Sequence, residues 1–174
     1  MILVATLTCA ACNKDDASSQ TATSAQGGEA SEAAAAVGRV LDSWHDAAAR
    51  ADEATYFSHF AQNGIFLGTD AIERWNVAGF RAYARPHFAR GKAWSFKSTR
   101  RAVTVHPSGT VAWFDEDLAT ENLGPARGSG VLVQEAGLWK IAQYNLALTI
   151  PNARFKEVKA LLDAAAGSAT PPSR

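Results

Sequence analysis

The chain has 174 residues, 47% of them hydrophobic, enough for one domain with its own core and too few to expect two. Lys plus Arg and Asp plus Glu both number 17, and the basic residues are scattered apart from Arg100-Arg101, so neither net charge nor a basic stripe points to nucleic acid. Both cysteines, Cys9 and Cys12, lie in the first twelve residues, which leaves the rest of the chain without a thiol nucleophile, a zinc-thiolate site or an internal disulfide.

Residues 1–12 are expected to be a signal peptide. The apolar run from Ile2 to Ala11 is much shorter than the roughly 20 residues of a spanning helix and ends in small residues before a cysteine. The segment resembles a bacterial lipoprotein signal, with Cys12 after Ala10-Ala11 as the residue that would carry lipid. That resemblance implies export to the cell envelope and a membrane attachment through Cys12 on the periplasmic side. It departs from the pattern in having Cys9 where Leu is usual and no Lys or Arg before the apolar run. Residues 13–35 contain no large apolar side chain and read as a flexible tether.

From residue 36 the pattern predicts folded elements. Val37, Leu41, Trp44 and Ala48 recur at spacings of three and four, which predicts an amphipathic helix. A short helix is expected in "EATYFSHFA", ended by Gly64, and a short strand in "GIFLGT". Asp70 and Glu73 have capping-box spacing ahead of a helix whose buried face is Phe80, Tyr83, Ala84 and Phe88, with Pro86 bending or ending it. The period then changes to two. "AWSFKSTRRAVTVH", "TVAWFDEDLATEN", "GSGVLVQEA" and "LWKIAQYNLALTI" read as an antiparallel meander. An amphipathic helix is expected over residues 153–166, and residues 167–174 form a frayed tail.

Helices first and a long antiparallel meander after them give an α+β domain, with the helices on one face of the sheet. This order resembles the nuclear transport factor 2-like superfamily, and within it the SnoaL-like, ketosteroid-isomerase-like group. The resemblance rests on "YFSHFAQNGIFLGTDAIERW", "GTVAWFDEDL" and "GSGVLVQEAGLWKIAQYNLALTIP", and covers residues 36–152. It implies a strongly curved sheet closed by helices into a cone with a pocket. The fold hosts isomerases, dehydratases, hydrolases and plain binding domains, so function must come from the pocket residues.

The isomerases of that group use an Asp base, with a Tyr and a protonated Asp for the enolate oxygen. The resemblance places the Tyr position at Trp44, the base at Gly68 and the second Asp near Gly130. None of the three carries the required group, so that mechanism is not expected. Two weaker carboxylate candidates remain, Asp70 and Asp115. On the strand around Asp115, Val111, Trp113, Asp115 and Asp117 share one face and Ala112, Phe114, Glu116 and Leu118 the other, so alternation leaves open which acid looks inward.

On the last strand, Trp139, Ile141, Gln143, Asn145 and Ala147 share a face that runs from bulky to polar, as a ligand cone would. The resemblance implies a histidine in many relatives at the Asn145 position, where only an amide remains here. Arg127 is expected to pair with Asp115 or Asp117, or to meet an anionic ligand. Of His45, His59, His87 and His106, none has metal-ligand spacing, and His87 alone is an acid or base candidate.

The resulting expectation is an exported SnoaL-like domain that binds a small apolar or amphipathic ligand through Trp44, Trp75, Trp113, Gln143 and Asn145, with no metal and no cofactor. The alternatives are an enzyme of the same group using Asp70 or Asp115 as base on a non-steroid substrate, and an assembly module that forms a homodimer through the sheet.

Overall fold

The computed structural model describes the backbone of residues 15–168 and the side chains of residues 28–165. The expected signal peptide, its Cys12 and the end of the C-terminal tail lie outside the described residues. Helix α1 (Asp15–Ala49) is followed by α2 (Glu53–Ser58), β1 (Phe60–Leu67), β2 (Arg74–Asn76) and α3 (Val77–Phe88). Four longer strands come next, β3 (Lys97–Val105), β4 (Val111–Ala119), β5 (Ala126–Glu135) and β6 (Leu138–Leu148), and then α4 (Phe155–Ser168).

The strands form one curved sheet in the order β2-β1-β6-β5-β4-β3. The predicted meander is β3 to β6. Strand β1 joins it parallel to β6, and β2 adds to β1 as an antiparallel hairpin. The expected α+β architecture is therefore present, with α1, α2 and α3 packed on one face of the sheet. Core residues come from both layers: Val37, Leu41 and Trp44 of α1, Phe80 and Ala84 of α3, and Phe114, Leu132, Ile141 and Tyr144 of the sheet.

Four local expectations are corrected. Helix α1 begins at Asp15, so most of the segment read as a tether is helical. Low hydrophobicity argues against burial, but Ala and Glu still favour helix, and among the described side chains burial starts near Ala33. Helix α2 ends at Ser58, not at Gly64, which lies inside β1. A Cβ at Gly64 would stand 2.9 Å from the Ile141 carbonyl oxygen, so the glycine permits the close approach where the β1–β6 register shifts.

Asp70 does not cap α3. Its Oδ1 accepts from Ile72 N at 3.0 Å and Glu73 Oε2 accepts from Asp70 N at 3.2 Å, which closes a turn before β2. The cap of α3 is Asn76, whose Oδ1 accepts from Gly79 N at 2.8 Å. Pro86 lies inside α3, in its last turn, and the helix ends two residues later.

The fourth correction concerns β6. Val131 pairs with Gln143 and Leu132 with Ile141, so Ala142 is an extra residue in the ladder. A bulge of this kind reverses the alternation beyond it. Trp139 and Ile141 face the helices before the bulge, and Tyr144 and Leu146 face them after it.

Candidate functional site

Three helices and the β2-β1-β6 side of the sheet leave a cavity of about 180 Å³ between them. Trp44 of α1 and Tyr56 of α2 form one wall, with rings stacked 4.9 Å apart. Phe66 of β1 stacks on Phe80 of α3 at 4.0 Å, and Tyr144 and Leu146 of β6 close the sheet side. Trp75 of β2 stacks on Tyr83 of α3 at 5.3 Å. With Thr69, Glu73 and His87 they form the rim, and Trp94 and Phe96 after α3 complete the lining. The walls are thus almost wholly aromatic, as in apolar ligand sites with few polar groups.

Two of those polar groups lack an acceptor. The Trp44 Nε1–H and the Tyr56 O–H are buried and find no acceptor among the described residues. Burial pushes the Tyr56 phenol well above its ordinary range, and the Trp94 indole N–H, directed at the Tyr56 oxygen, only tempers this, so Tyr56 remains a neutral hydroxyl. Buried donors are normally satisfied. A pair of unsatisfied ones on stacked rings at a cavity wall is an acceptor-shaped opening.

Behind Tyr144 lies a buried charged cluster. Glu116 is fully buried, and its Oε1 meets His45 Nε2 at 2.7 Å and accepts from Tyr144 Oη at 3.1 Å. Its Oε2 accepts from Arg101 Nε at 2.8 Å, and Arg101 also reaches Asp42 at 2.9 Å. Burial raises the Glu116 pKa, but the hydrogen bond and charge of His45, and then Arg101, outweigh it and hold the carboxyl below its ordinary range. Burial and the Glu116 charge push the Tyr144 phenol well up. Tyr144 therefore stays a donor to Glu116, and its ring closes the cavity on the sheet side.

The sequence-predicted residues divide clearly. Trp44 and Trp75 line the cavity. Trp113, 46% exposed, is on the other face of β4, and Gln143 and Asn145 follow the bulge to the opposite side from Tyr144 and Leu146. Neither carboxylate candidate lines the cavity. Asp70 belongs to the exposed turn before β2. Asp115, with a side chain 47% exposed, pairs with Arg100 at 3.2 Å on the outer face of the sheet. Asp117 also binds Arg100, at 2.7 Å, and lies 3.7 Å from Arg127, the expected cross-strand partner. The inward acid of the strand is Glu116.

Among the polar residues of the site and of the cluster behind it, Tyr56, Glu73, Tyr144 and His45 were missed, and Glu116 was left open against Asp115. Two left a signal. The Ala112-Phe114-Glu116-Leu118 face carries one acid against two on its opposite, and His45 shares the helical stripe of Leu41 and Ala48. Glu73 left only its capping-box spacing with Asp70, because its place at the cavity depends on the turn. A Cβ at Gly68 would lie 2.1 Å from Glu73 Oε2, so the Glu73 carboxylate fills the space beside the one position where the resemblance implies an Asp base.

The SnoaL-like domain family matches this chain over residues 37–151. No curated protein matches. Among solved structures, an NTF2-like protein of unknown function from Pseudomonas putida has a TM-score of 0.59 at 10% identity, covering 70% of this chain and 90% of its own. A protein of unknown function with a cystatin-like fold from Nostoc punctiforme has a TM-score of 0.55 at 11% identity, covering 66% and 89%. A proposed scytalone dehydratase from Novosphingobium aromaticivorans has a TM-score of 0.55 at 12% identity, covering 66% and 83%. At such identities the likeness establishes the fold.

Proposed function

The chain belongs to the SnoaL-like domain family, and from that premise we propose that it is a small-molecule binding protein whose aromatic cavity holds an amphipathic ligand by its apolar body and one hydrogen-bond acceptor. The observation that carries this reading is the unsatisfied pair Trp44 Nε1 and Tyr56 Oη at the cavity wall. An acceptor oxygen there would recover hydrogen bonds that the apo protein forgoes, each worth about 1 kcal/mol net. Acetophenone and α-methylstyrene differ only by a carbonyl oxygen in place of a methylene. Titrated against tryptophan fluorescence, acetophenone is expected to bind about tenfold more tightly, the equivalent of about 1.4 kcal/mol. Equal affinity would remove the acceptor from the reading.

Export and lipid anchoring are part of the same proposal. They are supported by the run of small residues before Cys12 and the lack of cysteine after it. A Cys12→Ser form is expected to lose its membrane association in cell fractionation, and retention of it would sink the anchor.

A further inference from the structure

Resting on the cavity reading, we propose that the cavity's ligand is an organic cation, a substituted amine or quaternary ammonium compound, whose charged head sits at the rim between Glu73, Trp75 and Tyr83.

Glu73 is the only acidic side chain lining the cavity, and its carboxylate has no ion-pair partner among the described residues. Its one hydrogen bond is the 3.2 Å contact from Asp70 N. Nearby cations are turned away from it. Arg74 alternates to the side of β2 opposite Glu73 and Trp75. Arg81 lies over the Phe57 ring at 4.7 Å. The Arg90 guanidinium, which has only donors, donates to His87 Nδ1 at 2.7 Å.

A negative charge set against the aromatic side chains Trp75, Tyr83 and Trp94 combines two forces on one ligand type. Ring faces attract a cation held within about 6 Å, most strongly when it is desolvated, and the carboxylate adds a charge of opposite sign. A neutral ligand uses neither. The rest of the cavity agrees, since the deep donors Trp44 and Tyr56 would take an acceptor at the other end of the same molecule.

Benzyltrimethylammonium and neopentylbenzene have the same shape and differ in one charged atom. Calorimetric titration of the full-length protein is expected to show the cation binding at least about tenfold more tightly, a difference of about 1.4 kcal/mol. Glu73→Gln, which keeps an acceptor for Asp70 N, should reduce that preference to about threefold or less while leaving neopentylbenzene binding unchanged. Trp75→Leu should weaken the cation more than the hydrocarbon. If neopentylbenzene binds as well as the cation, the cavity reading stands and the cation inference fails. If neither binds, both fail.

Discussion

Glu116 sits where a strand residue would normally be apolar, and its hydrogen bond with His45 and ion pair with Arg101 make it the most consequential single side chain under the cavity. Removing one partner of a buried charge cluster costs about 3–5 kcal/mol, because the remaining charges stay desolvated. Glu116→Gln should therefore lose about 3 kcal/mol in urea unfolding at pH 7. The wild-type carboxyl titrates below its ordinary range, so its stabilisation is complete above the unfolded-state pKa and disappears as pH falls through the folded one. The gap between wild type and variant should accordingly narrow at pH 3, and a pH-independent gap would contradict the ionised cluster. At this scale the sequence was only partly legible. An acid on each face of β4 was visible, but the choice between Asp115 and Glu116 depends on His45 and Arg101, which arrive from elements 71 and 15 residues away.

At the scale of elements, the period of two located β3 to β6, and the period of 3.6 located the packed part of α1. The one-residue bulge at Ala142 was not legible, and it alone moved Gln143 and Asn145 outward and Tyr144 inward. Its structural counterpart is Gly130, where a Cβ would stand 2.0 Å from the Gln143 carbonyl oxygen. Two residues earlier, a Cβ at Gly128 would stand 2.2 Å from Tyr144 Oη. The "GSG" stretch therefore clears space for a bulge and a phenol. Overpacking of this kind costs about 1–3 kcal/mol. Gly130→Ala is expected at or above the upper end, since it meets backbone, and Gly128→Ala lower, with loss of the Tyr144–Glu116 hydrogen bond seen by NMR. A Gly130→Ala protein as stable as wild type would overturn the account of the bulge.

At the scale of the molecule, element order alone carried the fold, because helices followed by a meander leave few ways to cover one sheet face. The cavity was less legible: its walls come from α1, α2, β1, the turn after it, β2, α3, the segment after α3 and β6, and no local pattern announces that eight such pieces converge. The C-terminal helix formed as expected, but Phe155, Leu161 and Leu162 remain exposed, so amphipathic periodicity there did not translate into packing. What the whole assembly produces is a desolvated pair of donors in an aromatic enclosure, and under the proposed function such a site trades apo stability for affinity. Tyr56→Phe tests this directly, with thermal unfolding of the apo protein and acetophenone titration measured on the same sample. The account predicts an apo protein at least as stable as wild type together with about tenfold weaker acetophenone binding. A destabilised apo protein that binds acetophenone unchanged would contradict it.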